Sequence, residues 1–364
     1  MMKILMPLAA FETKESSESG INSKVVTGGI EKFSQNLYTS VPGIIPVEIT
    51  KEDRKNRRTR KIVEAAVTKH SPDIIFINNP WHYNMVRRFN LPVICVFHEP
   101  LIRDVRFIEV GNIFRNMKED GCHLYFVSEG QFEYHKALAK RIQDYDISIE
   151  DVSGFVDSSF CEDMPYSFDD KEWDCSTVGR CEPDKHPFYV HKKLTKTDKK
   201  SLVMSNEVVY NSDKLNKYAT NNKGWECPQC TKWSLPHDEV LKHISKSKVF
   251  VSTWSKESWG ITAMEALGCG VPVILLTDKN GVHCSESLAV DESHFIKLDR
   301  KSTTVDEFDK AVEKLSNYSP EKRQEIYDET NKKHSKERWV GQFMKMIEKR
   351  MKDTSVKSTL EAFL

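Results

Sequence analysis

Short, unbroken apolar runs alternate along this chain with longer polar stretches of helical character. Lys3–Leu8, Pro72–Ile77, Pro92–Phe97 and Leu124–Val127 form a first set. Ser176–Val178, Leu202–Met204, Val249–Val251, Val273–Leu276 and Phe295–Leu298 form a second. Runs this short, apolar at successive positions, predict strands buried on both faces, as in parallel sheets. Their alternation with helices predicts two doubly wound α/β sheets. Between the sets, Asp157–Trp173 is acidic and aperiodic and reads as an interdomain linker. The domains expected are therefore 1–165 and 166–335. A charged helix over 336–364 follows, with Trp339, Phe343, Met344 and Ile347 as its apolar positions.

Composition narrows the partners. With 54 basic and 54 acidic residues in 364, no global field draws the chain to nucleic acid or membrane. No apolar run approaches the ~20 residues of a membrane span. Met1–Met6 is too short for a signal peptide and reads as the first strand. The nine cysteines are scattered and odd in number, which favours reduced thiols and a cytoplasmic setting. The neutral total hides a local excess. Lys51–Lys61 holds seven basic residues against two acids, and Lys51–Lys118 holds 14 against 7. Arg54, Lys55, Arg57, Arg58, Arg60 and Lys61 are candidate phosphate contacts, with Arg87, Arg88, Arg103 and Arg106 adding to them. A solvated helix face explains the same residues without a ligand, and an anionic lipid or polysaccharide would fit as well.

The densest chemistry lies in Lys256–Ile274. Glu257 and Glu265 stand eight apart, with Trp259-Gly260-Ile261-Thr262 between them. An apolar strand precedes this stretch and another follows. Both acids thus sit where a strand hands over to a helix, at the ligand-binding edge of an open α/β sheet. The first amides of that helix face outward and attract phosphate. A carboxylate one turn on is placed to accept hydrogen bonds from sugar or ribose hydroxyls. Val178-Gly179-Arg180, with Lys185 five residues on, follows another strand, and two fixed cations there would stabilise a departing diphosphate. Gly28-Gly29 lies at the first strand-to-helix connection, where glycine lets backbone approach a ligand closely. The long loop before it, Phe11–Ser23, reads as an insertion. His98-Glu99 ends the strand Val93–Phe97 and offers a general base. Cys227-Pro-Gln-Cys230 with His237 and His243 has a gap too short for a usual zinc site, and no metal is expected there. Trp225 or Trp233 could stack on a base nearby, or belong to the core.

The Glu257/Glu265 spacing and its Gly-Val-Pro-Val-Ile continuation resemble the E-x7-E motif of retaining glycosyltransferases of the GT-B fold. The resemblance implies two Rossmann-like domains facing a cleft, with a terminal helix crossing back to the first. It implies that Glu257 contacts the donor sugar and Glu265 the ribose. Arg180, Lys185 and the amides of Gly260, Ile261 and Thr262, following Trp259, would hold the diphosphate, with Gly28 and Gly29 nearby. His186-Pro187 stands where the family usually has glycine after the lysine. The His98-Glu99 pair is similar to one in phage glucosyltransferases that act on modified DNA. The expected activity is transfer from a UDP-sugar, with retained configuration and without metal or cofactor, by His98, Glu99 and Glu257. The expected acceptor is 5-hydroxymethylcytosine in double-stranded phage DNA, and the expected state a monomer off the membrane. A cell-surface polysaccharide or lipid-linked acceptor is the alternative enzyme reading. A non-catalytic nucleotide-sugar or DNA-binding protein is the alternative from another class.

Overall fold

The computed structural model describes residues 2–8, 29–49, 53, 56, 58–98, 113–133, 152–179, 185–186, 189–194, 197–205, 231–233, 235–254, 258–277 and 284–361. The chain divides into two compact units. The first comprises Met1–Ile21, Thr27–Ser159 and Lys336–Leu364, and the second Asn22–Val26 and Phe160–Ser335.

The first unit is built on a parallel sheet of six strands: β1 (Ile4–Leu8), β2 (Ile44–Glu48), β3 (Ile74–Ile77), β4 (Val93–Phe97), β5 (His123–Phe126) and β6 (Val152–Phe155). Their order is β2-β1-β3-β4-β5-β6. Every residue of β3 and β4 is buried, which is why these strands read as continuous apolar runs. Helices α1 (Gly29–Ser40) and α2 (Thr59–His70) belong to this unit. The C-terminal helix, α8 (Lys336–Glu361), packs on the same sheet. Phe343 meets Phe76 of β3 edge-on at 5.3 Å, and Trp339 meets Phe33 of α1 at 5.8 Å. Trp339 Nε1 donates to the Asp157 carbonyl at 2.6 Å, and Arg350 Nε to the Val93 carbonyl at 3.3 Å. Trp339, Phe343 and Ile347 of the terminal helix are buried, as is Met346, while Met344 is half-buried.

The second unit carries β7 (Trp173–Val178), β8 (Ser201–Ser205), β9 (Thr231–Trp233), β10 (Ser247–Ser252), β11 (Val273–Thr277) and β12 (Phe295–Asp299). These strands are parallel and ordered β12-β11-β10-β7-β8-β9. Counted within the unit this is 6-5-4-1-2-3, the nucleotide-binding order, and it reverses direction between β7 and β10. Ligands of such sheets bind beyond the strand ends at that reversal. Its helices are α3 (Tyr189–Leu194), α4 (His237–Ser245), α5 (Ile261–Gly268), α6 (Val305–Ser316) and α7 (Pro320–Lys333). Val249, Val251, Ile274 and Leu276 pack against Phe308, Val312 and Leu315 of α6. Thr304 caps α6 through a reciprocal bond with Glu307. Arg323, buried in α7, donates to the carbonyls of Leu315, Ser316, Tyr318 and Lys248, closing the end of α6.

Cys95, Cys122, Cys161, Cys175 and Cys269 are buried free thiols. No described helix is long and apolar enough to cross a membrane.

Candidate functional site

The sheet reversal of the second unit gathers several of the sequence candidates. Gly179 leaves β7, its amide donating to the Met204 carbonyl at 3.1 Å. Lys185 lies against it, 3.6 Å from where a Gly179 Cβ would stand. The Lys185 ammonium sits over the Trp254 ring, 3.1 Å from its centroid. The Lys185 carbonyl accepts from Thr253 Oγ1 at 2.5 Å. The residues that leave β10 thus hold the connection that leaves β7, and a cation is fixed at the strand ends by a π face. Arg180, its expected partner, lies outside the described residues.

On the same edge, Gly260 opens α5. Its φ of +83° is left-handed, and a Cβ there would fall 2.1 Å from Ser285 Oγ. Only glycine fits. Ser285 Oγ donates to the Trp259 carbonyl at 2.9 Å and so holds the turn. The Ala263 and Met264 amides donate to the Gly260 carbonyl. The earlier amides, of Gly260, Ile261 and Thr262, have no acceptor among the described residues, which leaves this helix start suited to an anion. Trp259 contributes its backbone here. Its ring is buried, packed edge-on at 5.4 Å against His334.

Glu265 is one turn into α5, and its side chain is only 4% exposed. Its Oε1 lies 2.7 Å from Nε2 of His237, the first residue of α4. A nearly dehydrated carboxylate needs such a partner. The contact also engages His237, one of the four residues weighed for zinc. Cys227, Cys230 and Trp225 lie outside the described residues, as does Glu257. Trp233 ends β9.

The first unit places its own candidates together at the ends of β3, β4 and α1. His98 follows β4 and meets Phe33 edge-on at 4.8 Å. The residue is partly exposed, but Nε2 is shielded from solvent. Burial pushes its pKa down to about 3, so the ring is neutral at any ordinary pH. Asn78, just past β3, donates to Ser34 Oγ of α1 at 2.7 Å. Gly29 opens α1. Gly28 and Glu99 lie outside the described residues.

Arg58, Arg60 and Lys61 are exposed at the start of α2. Arg54, Lys55 and Arg57 lie outside the described residues, as do Arg103 and Arg106. Arg87 and Arg88 do not extend the patch as expected. Arg87 is tied to Asp120 at 2.9 Å and Arg88 to Glu64 at 3.1 Å, so their charges are compensated.

Residues 163–333 match the family of glycosyl transferases group 1. The match spans a little under half of the chain and takes in the whole described site of the second unit. Anabaena HepE, solved in complex with UDP, aligns over 96% of this chain and 100% of its own, at 11% identity and a TM-score of 0.69. A sucrose-phosphate synthase from Thermosynechococcus elongatus aligns over 96% and 99%, at 12% identity and a TM-score of 0.63. S. aureus TarM aligns over 79% of this chain at 14% identity and a TM-score of 0.59, and the chain spans only 58% of its length. No curated protein matches the sequence. At such identities the likenesses carry the fold, which is the two-domain α/β architecture of GT-B glycosyltransferases. Family match and fold together support a glycosyltransferase.

Three parts of the site have no sequence signal. Ser285, Trp254 and His237 reach Trp259, Lys185 and Glu265 only through tertiary contact, with separations such as 28 residues for His237 and Glu265. His237 was visible as a possible ligand, but nothing local linked it to a carboxylate.

Proposed function

We propose that the protein transfers a sugar from a UDP-sugar to a hydroxyl group with retained configuration and without a metal ion. The observation that carries this is the sheet reversal of the second unit. There a fixed lysine, open helix amides and a buried carboxylate share one edge. The α5 amides and Lys185, with Arg180, receive the diphosphate. Glu265, oriented by His237, takes the ribose hydroxyls, and Glu257 the donor sugar. The bond from the anomeric carbon to the diphosphate oxygen breaks. The acceptor oxygen bonds to that carbon on the same face, and its proton passes to the departing phosphate oxygen. Charge grows on the diphosphate as the bond breaks, so fixed donors act most strongly in the transition state. Losing one typically costs on the order of 10²–10³ in kcat. His98, neutral, orients a hydroxyl by hydrogen bonding, and Glu99, the next residue in sequence, is the second candidate of that strand end.

The acceptor we propose is 5-hydroxymethylcytosine in double-stranded phage DNA, bound by the first unit. Its support is the exposed Arg58, Arg60 and Lys61 with their basic neighbours in sequence, and the His98-Glu99 pair. Such a base must be exposed from the stack before its hydroxyl can react. A second reading, a saccharide or lipid-linked acceptor, is favoured by one neighbour. A variant of S. aureus TarM was solved with Fondaparinux, alpha-GlcNAc-glycerol and UDP.

A panel of labelled UDP-sugars offered with hydroxymethylated duplex, unmodified duplex or no acceptor tests both levels. Label on modified DNA alone, lost in Lys185→Ala, supports the full proposal. Slow donor hydrolysis with no label on DNA moves the acceptor to a saccharide. Neither transfer nor hydrolysis with any UDP-sugar refutes the enzyme.

A further inference from the structure

Away from the donor site, the second unit holds a buried histidine whose surroundings do not satisfy it. His294 closes a single helical turn, Glu292–His294, just before β12. Its exposure is 0%, and neither ring nitrogen has a hydrogen-bond partner among the described residues. Buried polar atoms are nearly always paired, so two orphans on one ring call for an explanation. Two carboxylates face it from α7. Glu325 and Glu329 are one turn apart and therefore share a helix face. Their oxygens lie 3.7 and 3.6 Å from His294 Nε2.

These separations are too long for hydrogen bonds, which run at about 2.7–3.2 Å. They are close to a different distance. An ion held tetrahedrally at ~2.0–2.1 Å from nitrogen and oxygen ligands sets those ligands ~3.3–3.4 Å apart. All three ligand atoms lie within 4.8 Å of one another. We propose that His294, Glu325 and Glu329 bind a divalent transition-metal ion, zinc fitting best, that fastens α7 to the leading end of β12.

The chemistry agrees with the geometry. One imidazole and two carboxylates are a borderline donor set, suited to zinc or cobalt rather than to calcium or magnesium, which take oxygen alone. Burial, with Lys322 nearby, lowers the His294 pKa and keeps the ring in the neutral form that ligates. Two carboxylates balance a dication. Both glutamate side chains are partly exposed, 46% and 41%, which leaves a path for the ion and room for a water as fourth ligand. The charged neighbours are Asp291, whose carboxylate accepts from the Ser293 amide, and Lys322. Lys322 Nζ lies 2.5 Å from Glu325 Oε1 and competes with the ion for it. The consequence is structural. Helix α7 packs against α5, and Asn331 on α7 donates to the Gly268 carbonyl at 2.8 Å. A metal at His294 therefore braces the helix that supports α5, without touching the donor.

The test uses the full chain, freed of metal by chelation and titrated with Co²⁺, then with Zn²⁺ in competition. One equivalent of Co²⁺ is expected, with tetrahedral visible bands and no sulfur-to-metal charge transfer. The Glu325→Gln/Glu329→Gln variant, changed only at partly exposed positions, should bind at least ~10-fold more weakly, since even outer partners of metal ligands are worth 10–100-fold. Zinc should raise the Tm of the parent and not of this variant. Lys322→Met should bind more tightly. Absence of binding, binding unchanged in the double variant, or a thiolate charge-transfer band would overturn the site. The last would assign the ion to cysteines instead, and unaltered affinity in Lys322→Met would show that Glu325 is not a ligand.

Discussion

Replacing Gly260 by alanine isolates the device that opens α5. An added Cβ falls 2.1 Å from Ser285 Oγ and 3.1 Å from Ser285 Cβ, at a φ of +83°. The left-handed conformation alone costs a non-glycine residue about 1–2 kcal/mol. Ser285 must also turn away, and its 2.9 Å bond to the Trp259 carbonyl goes with it. That bond is worth about 0.5–1.5 kcal/mol. The sum is about 1.5–3.5 kcal/mol, or a Tm lower by roughly 3–14 °C for a unit of this size. Urea unfolding followed by far-ultraviolet circular dichroism measures it. Ser285→Ala removes the clashing oxygen and its bond, so Gly260→Ala/Ser285→Ala should cost less than the two single changes added, by about 1 kcal/mol. Gly260→Ala should also weaken UDP binding, because the turn aims the first amides of α5. A Gly260→Ala protein within ~0.5 kcal/mol of the parent, or strict additivity with Ser285→Ala, would show that Gly260 and Ser285 do not hold the turn together.

Three further outcomes follow from other parts of the molecule. Arg323→Met strands four carbonyls that share one buried guanidinium, and thermal denaturation should show a loss of roughly 3 kcal/mol or more. Burial pushes the pKa of His98 down to about 3 and those of His123 and His191 down to about 4. Unfolded histidines take up protons near pH 6.5 while these do not. Stability should therefore be full above pH 6.5 and fall towards pH 4, by up to about 1.4 kcal/mol per pH unit for each group. His191→Gln should flatten that slope in pH-dependent urea titrations. If the first unit binds DNA, replacing Arg58, Arg60 and Lys61 by alanine should weaken duplex binding and reduce the salt slope by roughly 2–3.

What was legible in the sequence follows from burial. β3, β4 and β11 are buried at every position and announce themselves as apolar runs. The strands that were not foreseen, β2, β6 and β9, are all sheet edges. β2 carries Pro46 and is only partly buried, and β6 carries Gly154. Proline and glycine are tolerated at edges and erase the signal there. The remaining edge, β12, was foreseen because Phe295, Ile296 and Leu298 keep it apolar. Within the site, local motifs were readable at Gly179, Lys185, Gly260 and Glu265, because strand, turn and helix each leave a mark within a few residues. Trp254 under Lys185, Ser285 under Gly260 and His237 on Glu265 come from other elements of the unit. No spacing rule joins them. The charges of Arg87 and Arg88 misled for the same reason, since Asp120 and Glu64 neutralise them only in three dimensions.

In the proposed function, the sheet reversal of the second unit binds the nucleotide of a sugar donor. Calorimetric titration of the full chain with UDP tests it most directly, repeated with Lys185→Ala and Glu265→Gln. One UDP per chain is expected, with affinity at least ~10-fold lower in each variant, as follows when a charge-assisted contact worth about 1.5–3 kcal/mol is lost. No binding of UDP by the parent, or equal binding by both variants, would contradict it.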